Sequence, residues 1–263
     1  MYRKAFNPLS LWQFDNLSSY REIAHYVSGK EGGVSENNTL NLSYKTADKP
    51  ENVKANRSRI GASLGINSDK LIFPEQTHSI NIKIVTTSTR VEELSDTDAL
   101  ITNERGICIS VLSADCVPIL LYDPVRKAVG AVHSGWRGTV GRLLERTILA
   151  MSDNFGTSPS DLIVAIGPSI CPQVYEVGEE VINAVMNAFH NTVGILLPSE
   201  KSGKAYFNLW EANTRLSLHT GVQANHIEVA GLCTYTNCDE FFSARKVKNQ
   251  QGRFAAGIMI KAS

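Results

Sequence analysis

Two histidines and a cysteine stand where a chain can present side chains to a shared pocket: His78 in "PEQTHSI", Cys116 in "SADCVPI" and His133 in "AVHSGW". Each falls at the edge of an apolar, β-forming run, beside small or turn-forming residues. Two imidazoles and a thiolate suit zinc, and three protein ligands leave the fourth tetrahedral position to water or substrate, as in a catalytic site. The same set serves blue copper. A multicopper oxidase needs further clustered histidines, commonly as H-x-H pairs, and the chain has six histidines and no such pair. Without a metal, Cys116 as nucleophile and His133 as its base make the minimal pair of a cysteine hydrolase or amidase. A purely structural zinc would want a fourth protein ligand, for which Cys108 on the preceding run is the candidate. Taken singly, each residue also has a plainer reading: buried cysteine is a common apolar filler, and a strand-end histidine commonly makes a surface hydrogen bond.

Places for an anion lie close by in sequence. The Gly135-Trp136-Arg137-Gly138 turn opens a helix, whose free N–H groups and dipole favour negative charge. Arg137 adds a bidentate donor suited to phosphate; its alternative is a surface ion pair. Arg245, in "FFSARK", is a second candidate, with a solvated turn as its alternative. Asn41 and Gln76 offer polar groups for a substrate, Asn41 equally as a turn cap. Trp136 offers a ring to stack on a base or to fill a core. Asp98 and Asp115 are carboxylates that can orient an imidazole through its second nitrogen, and Asp98 can equally cap the turn before "ALIT". His25, His190, His219 and His226 lie in polar or helical stretches without a comparable pattern.

The elements that must position these residues are legible in the hydrophobic pattern. "GICISVL" (106–112) and "VPILLYD" (117–123) read as strands separated by Ser113-Ala114-Asp115-Cys116, and "KAVGAVHSG" as a third. Val140, Leu143, Leu144, Thr147, Ile148 and Met151 then mark one helix face. "NVKANRSRIGASLGI" (52–66), "EEVINAVMNAFH" and "NLWEANTRLSLH" read as helices, while "LIF", "INIKIV", "DALIT", "LIVAIG", "IEVAGLC" and "AAGIMI" read as strands. The glycine-rich 29–43 segment reads as turn and loop. No repeat or linker divides the 263 residues, so the expectation is one domain, 1–263, of α/β (α+β) class.

Composition narrows the partners. Lysine plus arginine and aspartate plus glutamate are 26 each, so no net field draws the chain to nucleic acid or to an anionic membrane. No apolar run reaches membrane-spanning length and the N-terminus lacks a signal-peptide pattern, which together with five undense cysteines implies a cytoplasmic protein with free thiols.

The motifs "GGVS...LNLS", "NR" (56 and 57), "PEQTHS", "DTDALIT", "SADCVPILLYDP", "AVHSGWRGT", "IGPSICPQVYEVGEEV", "NLWEAN" and "CTYTNCDEFFSARK" occur in the order seen in the YfiH/YlmD-like family, which the chain resembles from about residue 30 to its end. That family has been labelled laccase domain, polyphenol oxidase and peptidoglycan editing factor, and its members are regarded as purine nucleoside phosphorylases. The resemblance implies a layered sandwich with a mixed β-sheet core flanked by helices. It implies zinc on His78, Cys116 and His133, as the histidine of Q-x-H, the cysteine of A-D-C and the histidine of H-x-G-W. It further implies phosphorolysis of adenosine, inosine, guanosine and methylthioadenosine, with deamination of adenosine. A metal that lowers the pKa of water suits the second reaction directly. The chain departs from the family where Cys171 replaces a usual glycine, where Gln173 replaces a common cysteine, and in "FFSARK", where Ala244 and Lys246 stand in a more typical F-F-S-Y-R-R.

Overall fold

The computed structural model describes residues 1–6, 9–247 and 252–262. Alternation within single strands builds its layers. In Val117–Asp123, Ile119 and Leu121 pack among the helices on one side, while Leu120 and Tyr122 point to a second sheet on the other. Strands buried on both faces carry such unbroken apolar runs.

Two six-stranded sheets result. The first runs, edge to edge, Tyr2–Phe6, Leu9–Gln13, Ile23–Ser28, Phe254–Ile260, Cys108–Ser113 and Leu71–Ile72. The second runs Ile227–Val229, Ile163–Ile166, Val117–Asp123, Ala128–Ser134, Ala99–Thr102 and Ile82–Ile84. Both are mixed: Ile163–Ile166 pairs parallel with Ile227–Val229 and antiparallel with Val117–Asp123, and Leu71–Ile72 joins Cys108–Ser113 in parallel. Val111, Phe254 and Ile258 of the first sheet meet Leu120, Val129 and Ala165 of the second in one buried cluster. The helix Pro50–Leu64 covers the outer face of the first sheet through Ile60. Helices Leu143–Phe155 and Leu209–His219 cover that of the second through Leu144, Ile148, Ala212 and Leu216. A three-stranded sheet, Glu176–Gly178, Lys204–Phe207 and Leu196–Pro198, flanks that side.

Three local expectations change. The segment 29–43 is not all loop: Glu31–Ser35 is a strand, followed by a single 3-10 turn at Glu36–Asn38. Its return is so close that a Cβ on Gly33 would fall 1.9 Å from the Thr39 carbonyl oxygen. The helical face that includes Val140 belongs to two helices, Trp136–Val140 and Leu143–Phe155, because Arg142 takes φ +59° between them. The "IEVAGLC" strand stops at Val229.

The connections matter most for the site. Cys108–Ser113 lies in the first sheet and Val117–Asp123 in the second, so residues 114–116 carry the chain from one sheet to the other. Leu71–Ile72 and Ile82–Ile84 are likewise in different sheets, which makes the His78 segment a second crossing. The stretch from Val229 to Phe254 is a third.

Candidate active site

His78 and Cys116 therefore come from two crossings, and His133 from the end of Ala128–Ser134, where it pairs with Pro118 just beyond Cys116. Their ligand atoms all lie within 4.8 Å of one another, and this is the one such group of histidine, cysteine and acidic side chains among the described residues. Cys116 Sγ is 3.7 Å from His78 Nε2, and the two imidazoles meet edge to face with centroids 5.0 Å apart. A thiolate and an imidazole on one tetrahedral zinc are separated by about 3.5 Å, so the donor set and its spacing fit that ion. The backbone is shaped around the cluster. His78 takes φ +65°, and Gly135 is the residue whose missing side chain leaves room, since a Cβ there would lie 2.8 Å from Cys116 Sγ and 3.2 Å from His78 Cδ2.

Asp98 is the imidazole's orienting carboxylate. Its Oδ1 lies 2.7 Å from His133 Nδ1, which leaves Nε2 as the free nitrogen of that ring. The same carboxylate accepts from the backbone N–H groups of Thr77, His78 and Ser79, so it also holds the His78 segment. Burial opposes charge on Asp98, but His133 and these donors outweigh it and bring the carboxyl down to about 2. Burial likewise opposes the Cys116 thiolate, and the two imidazoles overcome it, lowering the thiol to about 6. For His133, the Cys116 and Asp98 charges overcome burial and raise the imidazole to about 9.

The trio opens on a cleft of about 1000 Å³. Its walls include Arg57, Arg245 and Arg253, the rings of Tyr44, Phe73 and Tyr175, and apolar Leu94, Leu112 and Ile170. Arg57 lies between rings, 4.0 Å from the Phe73 centroid and 4.5 Å from that of Tyr44, and donates from Nε and Nη2 to the Leu42 carbonyl. Burial lowers its guanidinium to about 10. Arg245 lies 5.1 Å above Tyr175 and donates to the Glu176 carbonyl at 3.2 Å.

The other residues singled out from sequence fall in different places. Gln76 lines the cleft, but its amide is taken by the backbone of Leu112, donating at 2.8 Å and accepting at 2.7 Å, so it stitches the His78 crossing to the strand leading to Cys116. Asn41 is fully buried; its Oδ1 accepts from the N–H groups of Ser43 and Arg253, which places it behind the wall that those two residues line. Arg137 is not among the lining residues. It stacks on Trp136 at 4.3 Å, pairs with Glu180 at 3.8 Å and is near enough to Tyr175 to bias its phenol. Trp136 packs on the helical core. Cys108 faces the far side of the first sheet beside Ser110, away from the trio, and burial raises its thiol to about 12. Asp115 bonds Thr234 and the Arg245 N–H rather than an imidazole.

Arg57, Arg253, Tyr44 and Tyr175 are cleft residues that the sequence reading did not single out. Arg57 occupies a helix position of ordinary polar appearance, and only the "NR" pair hinted at it.

A family model described as multi-copper polyphenol oxidoreductase laccase matches residues 24–261. A protein of Bacteroides thetaiotaomicron named purine nucleoside phosphorylase is 40% identical over 256 residues, covering 94% of this chain and 95% of that protein. One from an unknown prokaryotic organism, named adenosine deaminase RL5, is 34% identical over 240 residues, 89% of this chain and 91% of its own. The crystal structure of the Bacillus licheniformis protein YfiH superposes with a TM-score of 0.87 at 31% identity, covering 91% of this chain and 93% of that one.

Proposed function

The chain belongs to the YfiH/YlmD-like laccase-domain family, and from that premise we propose that it is a zinc-dependent purine nucleoside phosphorylase, acting on adenosine, inosine, guanosine and methylthioadenosine, that also deaminates adenosine. Residues 1–263 act as one catalytic domain, in the cytoplasm. The observation that carries the reading is the His78, Cys116 and His133 trio opening on a cleft whose walls combine cationic and aromatic side chains. The relatives named purine nucleoside phosphorylase and adenosine deaminase support it.

In phosphorolysis a phosphate oxygen forms a bond to the ribose C1′ as the C1′–N9 bond breaks, and the purine leaves with the electron pair and takes a proton. The protein's part is to hold the anion in line and to stabilise an oxocarbenium-like transition state. On this reading Arg245 holds phosphate, with Arg57 and Arg253 as further cations, while Tyr44, Phe73 and Tyr175 offer faces to the base. Gln76 and Asn41 shape this wall through the backbones they bind, and Arg137 acts from the Tyr175 side. His78, Cys116 and His133 hold the zinc, which supplies Lewis acidity when bound. Asp98 keeps the His133 tautomer fixed for that role.

Two other readings have specific support. A thiol lowered to about 6 beside an imidazole raised to about 9 is the electrostatics of a cysteine nucleophile, the amidase alternative. The family description names copper, and two histidines with a cysteine accept it; yet among the described residues no second group of histidine, cysteine and acidic side chains is placed to hold further metal. Metal analysis separates all three. Protein purified without added metal should carry about one zinc per chain and release hypoxanthine from inosine only with phosphate present. Cys116→Ala should abolish both metal and activity. Phosphorolysis retained in a metal-free Cys116→Ala protein overturns the zinc proposal, and phenol oxidation by the copper form as isolated favours the laccase.

A further inference from the structure

Asp115 precedes the Cys116 ligand, yet neither of its oxygens serves an imidazole. Oδ1 accepts from the Thr234 hydroxyl at 2.6 Å and Oδ2 from the Arg245 N–H at 2.7 Å, while its carbonyl accepts from the Ile170 N–H at 3.0 Å. One residue thus joins the 114–116 crossing, the turn after Ile163–Ile166 and the long return to Phe254–Ile260. It is 8% exposed and holds φ +94°, a conformation that a residue with a side chain rarely adopts. Such strain persists only where the surroundings over-determine it, and it concentrates at functional sites. Two strong bonds to one carboxylate supply that determination.

The bond to the Arg245 N–H has a consequence in the cleft. It places the Arg245 backbone next to the metal-ligand turn, with the guanidinium over Tyr175. We infer that Asp115 is a positioning residue that aims Arg245 at the phosphate and so sets how strongly the site favours phosphorolysis over deamination. This rests on the proposed nucleoside chemistry. Phosphorolysis needs a second, anionic reactant held in line with C1′. Deamination exchanges water for ammonia at C6 and needs no bound phosphate. Losing the Asp115 clasp therefore weighs on the first reaction more than on the second.

Asp115→Asn is the direct test. Asparagine tolerates positive φ and keeps the volume, but it removes the charge: its Oδ1 can still accept from the Arg245 N–H and its Nδ2 can donate to the Thr234 hydroxyl, so both bonds persist only as weaker, neutral ones. The KM for phosphate in inosine phosphorolysis should rise about fivefold to tenfold, the effect of exchanging a charge-assisted hydrogen bond for a neutral one, with kcat changed less than about threefold and zinc content retained. The ratio of deamination to phosphorolysis at fixed, subsaturating phosphate should rise correspondingly. Thr234→Val, which removes the Oδ1 bond alone and provides a second variant should Asp115→Asn fold poorly, should move both readouts in the same direction by less. Adding Asp115→Asn to Arg245→Ala should raise the phosphate KM no further. Equal loss in kcat and in both activities would make Asp115 merely structural, and an unchanged phosphate KM or an additive double variant also overturns the inference. The KM-against-kcat split is read on phosphorolysis alone, so the test holds whether or not the protein deaminates. A wild-type protein with neither activity overturns the nucleoside reading and this inference together; an active one with an unmoved phosphate KM overturns the inference alone.

Discussion

His133 has one ring nitrogen free because Asp98 Oδ1 holds the other at 2.7 Å, and Asp98 is itself fully buried among the backbone N–H groups of Thr77, His78 and Ser79. Replacing it by asparagine leaves the shape but removes the charge that fixes the imidazole tautomer, and also weakens the hold on the His78 segment. Loss of such an outer partner commonly costs about 10–100-fold in metal affinity or activity. Asp98→Asn should therefore bind zinc about 10–100-fold more weakly, as read by competition with a chromophoric chelator. Wild-type affinity in that variant would show that the hydrogen bond does not tune the ligand. The three residues proposed as ligands stand out in their motifs. Asp98 was one of two candidate carboxylates, and only its distance to His133 separated it from Asp115, which bonds Thr234 and Arg245 instead.

At the scale of elements, the cluster exists because the chain changes sheets at His78 and again at Cys116, next to the end of Ala128–Ser134. Gly135 is what lets these pieces approach. A methyl group there would lie 2.8 Å from Cys116 Sγ, and a sulfur held by the proposed zinc could not move aside as a free side chain would. Gly135→Ala should drop zinc below about half occupancy while shifting the thermal midpoint by only a few degrees, as metal analysis and circular dichroism would report. Full occupancy in that variant would mean that the strand end has slack. Helix and strand identities along this stretch follow from local pattern, but the break between Trp136–Val140 and Leu143–Phe155 does not. It depends on Arg142 at φ +59°, whose guanidinium donates to Glu145 and to the distant Ala188 carbonyl.

For the whole molecule, the layer between the two sheets has a pH-sensitive member. His25 lies in Ile23–Ser28, 2% exposed, with Nε2 accepting the Phe14 N–H at 2.8 Å, and burial pulls its imidazole down to about 4. The folded protein must keep it neutral, whereas the unfolded chain takes up the proton near pH 6.5. The unfolded state thus binds more protons at this position between about pH 6.5 and 4, so the contribution of His25 to stability falls as pH drops through that window and levels off below it. Urea midpoints should decline from pH 7 to 4.5, and His25→Gln should show a shallower decline; identical slopes would assign the acid sensitivity elsewhere. By itself the sequence determined the strands that lead to Cys116 and His133, the four longest helices, the absence of a net field, and three candidate ligand residues, because apolar periodicity and short motifs are properties of neighbouring residues; it did not mark Leu9–Gln13 and Ile23–Ser28 as strands of the first sheet. The tertiary structure alone decided that the strands form two sheets, that Arg57, Arg253 and Tyr175 face the same cleft as the trio, and that Asn41 lies behind its wall. Those facts depend on which crossings meet, and meeting is set by long-range packing of the layers, which spacing along the chain does not encode.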